Sequence, residues 1–189
     1  MVDYITVVSG LPRSGTSMMM RMLAAGGMPT LTDQIRKADE NNPRGYFELE
    51  GVKKIKEDAS WLDKAVGKAF KMVSQLLYEL PSDKQYRIIF MQRKLEEVLA
   101  SQKKMLETEG KGAGDLSDEH MALLFSKHLS MMESWLKEQQ NMSVLYVVYN
   151  EVLSAPLTQA QRINLFLDGR LDVNSMVEVV EPALYRQRH

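Results

Sequence analysis

The chain has no cysteine. That excludes disulfides, thiolate catalysis and cysteine-ligated zinc, without fixing a compartment. It also lacks an excess of one charge. Lys and Arg number 24 against 25 Asp and Glu, so no strong field points to a nucleic acid polymer or an anionic membrane. A highly charged anion must then be held by local clusters. No apolar run reaches membrane-spanning length. Residues Met1 to Tyr4 lead straight into an apolar run, leaving no room for a signal peptide, so a soluble, cytoplasmic protein is expected. Repeats, low-complexity tracts and linkers are absent. The 189 residues suit a single domain, 1–189, with a sizeable core.

What is present centres on Val7-Val8-Ser9-Gly10-Leu11-Pro12-Arg13-Ser14-Gly15-Thr16-Ser17, running into Met18 to Leu23. The apolar run Ile5 to Val8 breaks at Gly10 and Pro12, then gives way to helix-forming residues. The expectation is a buried strand, a glycine-bearing turn and a helix N-terminus. Such a terminus leaves backbone N–H groups unpaired at the positive end of the helix dipole, which attracts a phosphate or sulfate. Gly15 lets the backbone curl round the anion, Ser14, Thr16 and Ser17 add hydroxyl donors, and Arg13 adds a fixed positive charge. The alternative is a structural strand–helix turn with no ligand.

Gly10 and Gly15 fit the spacing of a phosphate-binding P-loop, but Thr16 stands where the lysine of nucleotide-hydrolysing enzymes belongs. An ordinary ATPase or kinase is therefore disfavoured. The form Pro-Arg-Ser-Gly-Thr-Ser resembles the 5′-phosphosulfate loop of sulfotransferases, which bind 3′-phosphoadenosine-5′-phosphosulfate (PAPS). A second feature is similar to that family. Arg87-Ile88-Ile89-Phe90-Met91-Gln92-Arg93 reads as a buried parallel strand, followed by a helical pattern from Lys94 to Glu109. Sulfotransferases place an arginine at such a strand end and a serine eight residues later, both on the cofactor's 3′-phosphate. Arg93 and Ser101 match that spacing.

Two further segments bear on the site. Asn41-Asn42-Pro43-Arg44-Gly45-Tyr46-Phe47-Glu48 resembles a segment beside the active site of bacterial sulfotransferase-like proteins, although a loop anchored by two aromatics explains it equally well. Gly67 to Val73 reads as a strand. The resemblance implies a lysine there with a catalytic histidine two residues on. The chain offers Lys71, but Val73 occupies the histidine position. Lys71 is then expected to stabilise the leaving group, and Glu48 to serve as the base, with Asp33 and His120 as alternatives. His128 falls within an apolar helical stripe and reads as a packing residue.

The remaining pattern is regular. Met28 to Leu31 suggests a short strand, Thr32 to Asn42 a loop, and Glu50 to Lys64 a helix. Gln75 to Pro81 follows the Gly67–Val73 strand, and Glu109 to Asp115 reads as a connector or a lid. Ser117 caps a helix through Gln140 with Met121, Leu124, Phe125, Leu129, Met132, Trp135 and Leu136 on one face. Val144 to Tyr149 is the last strand, and Thr158 to Gln161 forms a capping box for a helix through Leu167. The ending Pro182-Ala183-Leu184-Tyr185-Arg186 is similar to that of bacterial sulfotransferase-like proteins, and Arg186 and Arg188 are further phosphate candidates. The methionines read as core filling, or else as a plastic acceptor pocket. The fold expected is α/β, a three-layer, P-loop-like parallel sheet of four to five strands with helices on both faces. The implied activity is sulfuryl transfer from PAPS, without a metal, to a small-molecule, glycan or lipid acceptor. A P-loop kinase and a non-catalytic nucleotide-binding relative are the rivals.

Overall fold

β1 (Tyr4–Gly10) is buried at every residue, Thr6 and Ser9 included, as a central parallel strand covered on both faces must be. The computed structural model describes residues 2–33, 47–108 and 117–180. Within them β1 joins β2 (Ala69–Lys71), β3 (Gln85–Gln92) and β4 (Met142–Val148) in one parallel sheet, ordered β2-β1-β3-β4. The helices are α1 (Thr16–Ala25), α2 (Glu50–Lys53), α3 (Leu95–Thr108), α4 (Asp118–Glu138), α5 (Tyr149–Ser154), α6 (Pro156–Phe166) and α7 (Val173–Glu178).

Strand pleating sends neighbouring residues to opposite faces, and the two cores follow from it. Val8 and Ile89 meet Met19, Met22 and Leu23 of α1, Ile163 of α6 and Met176 of α7. Val7 and Ile88 turn the other way, toward Met132 and Leu136 of α4 and Leu62 and Leu77 of the connecting turns. The methionines of α1 fill the core: Met18, Met19, Met20 and Met22 are all buried.

Several elements depart from the sequence pattern. Met28 to Leu31 yields only a bridge between Thr30 and Ala69, because Pro29 has no N–H for a ladder. The expected helix Glu50–Lys64 stops at Lys53 and resumes as a 3-10 turn, Ser60–Ala65. Gly51 weakens its first turn, and the Asp58 carboxylate accepts from the Ser60 N–H at 2.8 Å, which restarts the chain locally. The strand at Gly67–Val73 shortens to Ala69–Lys71, and a second 3-10 turn covers Ser74–Glu79. The last strand starts two residues earlier than expected, at Met142, and Tyr149 opens α5 instead of ending the strand.

No capping box forms at Thr158–Gln161. The helix begins at Pro156, whose fixed φ and missing N–H suit a first helical position. In α4 the stripe is buried only at Met132 and Leu136, while Leu124 is exposed. Its 21 residues extend about 31 Å, beyond the roughly 26 Å of an eight-residue strand, so its first half outruns the sheet. No helix of the described residues is long and apolar enough to cross a membrane. The segment Asn41–Tyr46, the connector Glu109–Asp115 and the tail bearing Arg186 and Arg188 lie outside the described residues.

Candidate active site

The strand order reverses direction at β1 and β3, and an open parallel sheet has its crevice at the carboxyl ends of such strands. Gly10 at the end of β1 lies level with Met91 of β3. The approach is too close for a side chain. At φ 147°, a Cβ on Gly10 would stand 2.6 Å from both the Met91 carbonyl oxygen and Ser14 Oγ. Beyond it lies a cavity of 250 Å³ lined by Leu11, Ser14, Gln92, Arg93, Leu129 and Val148.

The loop enters α1 through two left-handed residues, Arg13 at φ 69° and Gly15 at φ 99°. Gly15 is the N-cap of α1 and no side chain caps the helix, so its first-turn N–H groups are left for another acceptor. The space a Gly15 side chain would need is filled by the Tyr149 ring, 2.4 Å from the ideal Cβ position. Ser14 is buried, and its Oγ has no hydrogen-bond partner among the described residues. A buried orphan hydroxyl lining a cavity at a helix start is what an anionic oxygen would satisfy, so these residues fit a phosphosulfate group.

Two arginines meet here from different strands. Arg13 Nε donates to Ser101 Oγ of α3 at 2.9 Å. Arg93, just past β3, donates from Nη1 to the Arg13 carbonyl oxygen at 3.0 Å and from Nε to Glu97 Oε2 at 2.8 Å. Its guanidinium lies 4.5 Å from the Tyr149 ring centre. Glu97 is buried, and its other oxygen accepts from Asn150 Nδ2 at 3.0 Å. A buried ion pair stabilises little in net terms but holds its partners in one arrangement. Burial raises the Tyr149 phenol, against the pull of the Arg93 cation. Arg13 and Ser101, which the resemblance put at opposite ends of the cofactor, are thus joined directly.

Lys71, level with Val8 at the end of β2, donates from Nζ to Ser17 Oγ of α1 at 3.4 Å. The structure therefore brings Arg13, Ser14, Gly15, Thr16, Ser17, Lys71, Arg93 and Ser101 to one edge of the sheet. Asp33 and Glu48 meet at the start of α2. The Asp33 carboxylate accepts from the Glu50 N–H, and the Glu48 carbonyl oxygen accepts from Thr32 Oγ1 at 2.9 Å. His120 sits in the exposed first turn of α4, its N–H donating to Ser117 Oγ at 3.2 Å. Val73 is exposed, but the next residue, Ser74, is fully buried, with its Oγ 2.8 Å from His128 Nε2. Burial lowers the pKa of that imidazole.

Sequence reasoning missed Glu97, Tyr149, Asn150 and the Ser74–His128 contact. Glu97 alone carried a signal, a carboxylate one helical turn after Arg93. Tyr149 and Asn150 read as the end of a strand, and Ser74 and His128 are too far apart in the chain for any local pattern to link them.

The sulfotransferase domain family matches residues 4–187. No curated protein matches the chain. Among solved structures, a sulfotransferase domain from the curacin biosynthetic pathway aligns with a TM-score of 0.56 at 14% identity, over 94% of this chain and 78% of that one. A sulfotransferase from Mycobacterium avium aligns with a TM-score of 0.57 at 13% identity, over 95% and 67%. Retinol dehydratase, solved with androsterone and the inactive cofactor PAP, aligns with a TM-score of 0.53 at 15% identity, over 93% of this chain and 62% of its own. At these identities the likeness is one of fold. The family match, spanning nearly the whole sequence, carries the assignment: the chain belongs to the PAPS-dependent sulfotransferase family and is an enzyme of sulfuryl transfer.

Proposed function

We propose that the protein moves a sulfuryl group from PAPS to a hydroxyl or amine of a small-molecule, glycan or lipid acceptor by direct in-line attack. The observation that carries this reading is the joined pair of strand-end arginines, with Arg93 Nη1 3.0 Å from the Arg13 carbonyl oxygen and Ser101 held by Arg13. It offers cationic and hydroxyl groups for both anionic ends of one 3′-phosphorylated nucleotide, a demand ATP does not make. Bound PAPS supplies the activated sulfuryl group. Arg13, Ser14, Thr16, Ser17 and the backbone N–H groups at Gly15 hold the 5′-phosphosulfate, while Arg93 and Ser101 hold the 3′-phosphate. Lys71, beside Ser17, neutralises charge on the oxygen that loses the sulfuryl group. Transfer also needs a group that takes the acceptor's proton. Glu48 is the carboxylate the sequence offers for that step.

The test is calorimetric binding of 3′-phosphoadenosine-5′-phosphate (PAP) against ATP and ADP. Tight PAP binding, weak ATP binding and loss of the PAP signal in Arg93→Ala are expected. ATP binding without PAP binding would overturn the reading.

A further inference from the structure

A histidine reaches the chain just past β2 from another element. Ser74 follows Lys71 by three residues, a span of at most about 10 Å of chain, so both lie at the carboxyl edge of the sheet. His128 reaches that edge from α4, with Nε2 2.8 Å from the buried Ser74 Oγ. Its neighbour Leu129 lines the cavity shared with Ser14 and Arg93. Five residues on, the Glu133 carboxylate accepts from Gln92 Nε2 at 3.2 Å, which pins this part of α4 over the end of β3. His128 itself is only half-buried. Burial pushes its pKa below the ordinary histidine value, which favours the uncharged ring.

Resting on the sulfotransferase reading above, we propose that His128 is the group that accepts the acceptor's proton, with Ser74 as its positioning residue. Nε2–H donates to Ser74 Oγ, which leaves the Nδ1 lone pair available as a base. As the acceptor oxygen forms its new bond to sulfur, its proton passes to Nδ1. The electron pair of the broken S–O bond stays on the departing phosphate oxygen, beside Lys71. The imidazolium then releases its proton to water. No oxidant or metal is required for the balance.

The experiment has two readouts on the full chain. In the first, nitrogen-15 NMR of the imidazole side chains is recorded with PAP bound at pH 7. A neutral His128 protonated at Nε2 is expected, shifting toward the Nδ1–H tautomer in Ser74→Ala. An Nδ1–H tautomer or an imidazolium in the wild type overturns the proposal. In the second, release of PAP from PAPS is followed with water and with 4-nitrophenol as acceptors.

His128→Gln is expected to lower turnover about a hundredfold or more while binding PAP as the wild type does, and added imidazole should restore part of the rate in His128→Ala. Wild-type turnover in His128→Gln overturns the proposal. So does loss of turnover in Glu48→Gln alone, and so does a wild type that binds PAP but releases none from PAPS. Failure of the wild type to bind PAP is a distinct result, which overturns the donor assignment on which the proposal rests.

Discussion

Gly15 is the residue on which the geometry of the loop turns. Its φ of 99° costs an L-residue about 1–2 kcal/mol, and a methyl group there would drive into the Tyr149 ring, an overpacking term of about 1–3 kcal/mol. Gly15→Ala is therefore expected to lose about 2–5 kcal/mol of unfolding free energy, measured by urea titration. In a double-mutant cycle with Tyr149→Ala, the two sites should couple by about 1 kcal/mol or more. Unchanged stability in Gly15→Ala would mean that the loop moves off the ring. The sequence announced the need for glycine here through its spacing, but it held no trace of the ring that makes a substitution so costly.

At the scale of elements, α7 shows how a short helix is held by its own start. The Asp172 carboxylate accepts from the N–H groups of Asn174 at 2.9 Å and Ser175 at 3.1 Å. The bond to Ser175 is the leading cause that lowers its pKa from the ordinary aspartate value. A carboxyl depressed in the folded state contributes stability above its unfolded pKa and loses it as pH falls through the folded one. Stability of the wild type should thus fall on the acid side of the ordinary aspartate range, and Asp172→Asn, which keeps a capping oxygen but has no charge to titrate, should flatten that fall. Thermal melts from pH 6 down to pH 2.5 would check it. Identical slopes in the two proteins would remove Asp172 from the account. α6 teaches the opposite lesson, since the capping pattern at Thr158 was legible but Pro156 had already started the helix.

For the whole molecule, the nucleotide is expected to act as a clamp, because its proposed contacts come from β1, α1, β2, β3 and α3 together. A ligand at one hundred times its dissociation constant stabilises the folded state by about 2.7 kcal/mol. For a chain of this size that is a rise of roughly 5–10 °C in Tm. PAP should produce such a shift in the wild type and a smaller one in Lys71→Ala, because its 5′-phosphate carries the leaving oxygen to which Lys71 is assigned. Lys71→Ala should also lose turnover. An undiminished shift together with wild-type turnover in Lys71→Ala would remove that lysine from the site.

By itself the sequence determined the sheet, the loop and both strand-end arginines, because these depend on patterns within a few residues. An apolar run long enough for a buried strand, a glycine pair before a helix start, and an arginine with a serine eight residues on are local facts. It also left open which groups those arginines touch. Only the tertiary structure decided that Arg13 holds Ser101, that Glu97 and Asn150 fix Arg93, and that Tyr149 closes over Gly15. The same holds for His128, which reads along the chain as one more member of an apolar stripe. Its partner Ser74 is 54 residues away, and the contact exists because α4 packs across the face of a sheet whose carboxyl edge gathers the ends of separate strands. Periodicity specifies which face of an element is buried. What that face meets follows from the packing of elements distant in sequence.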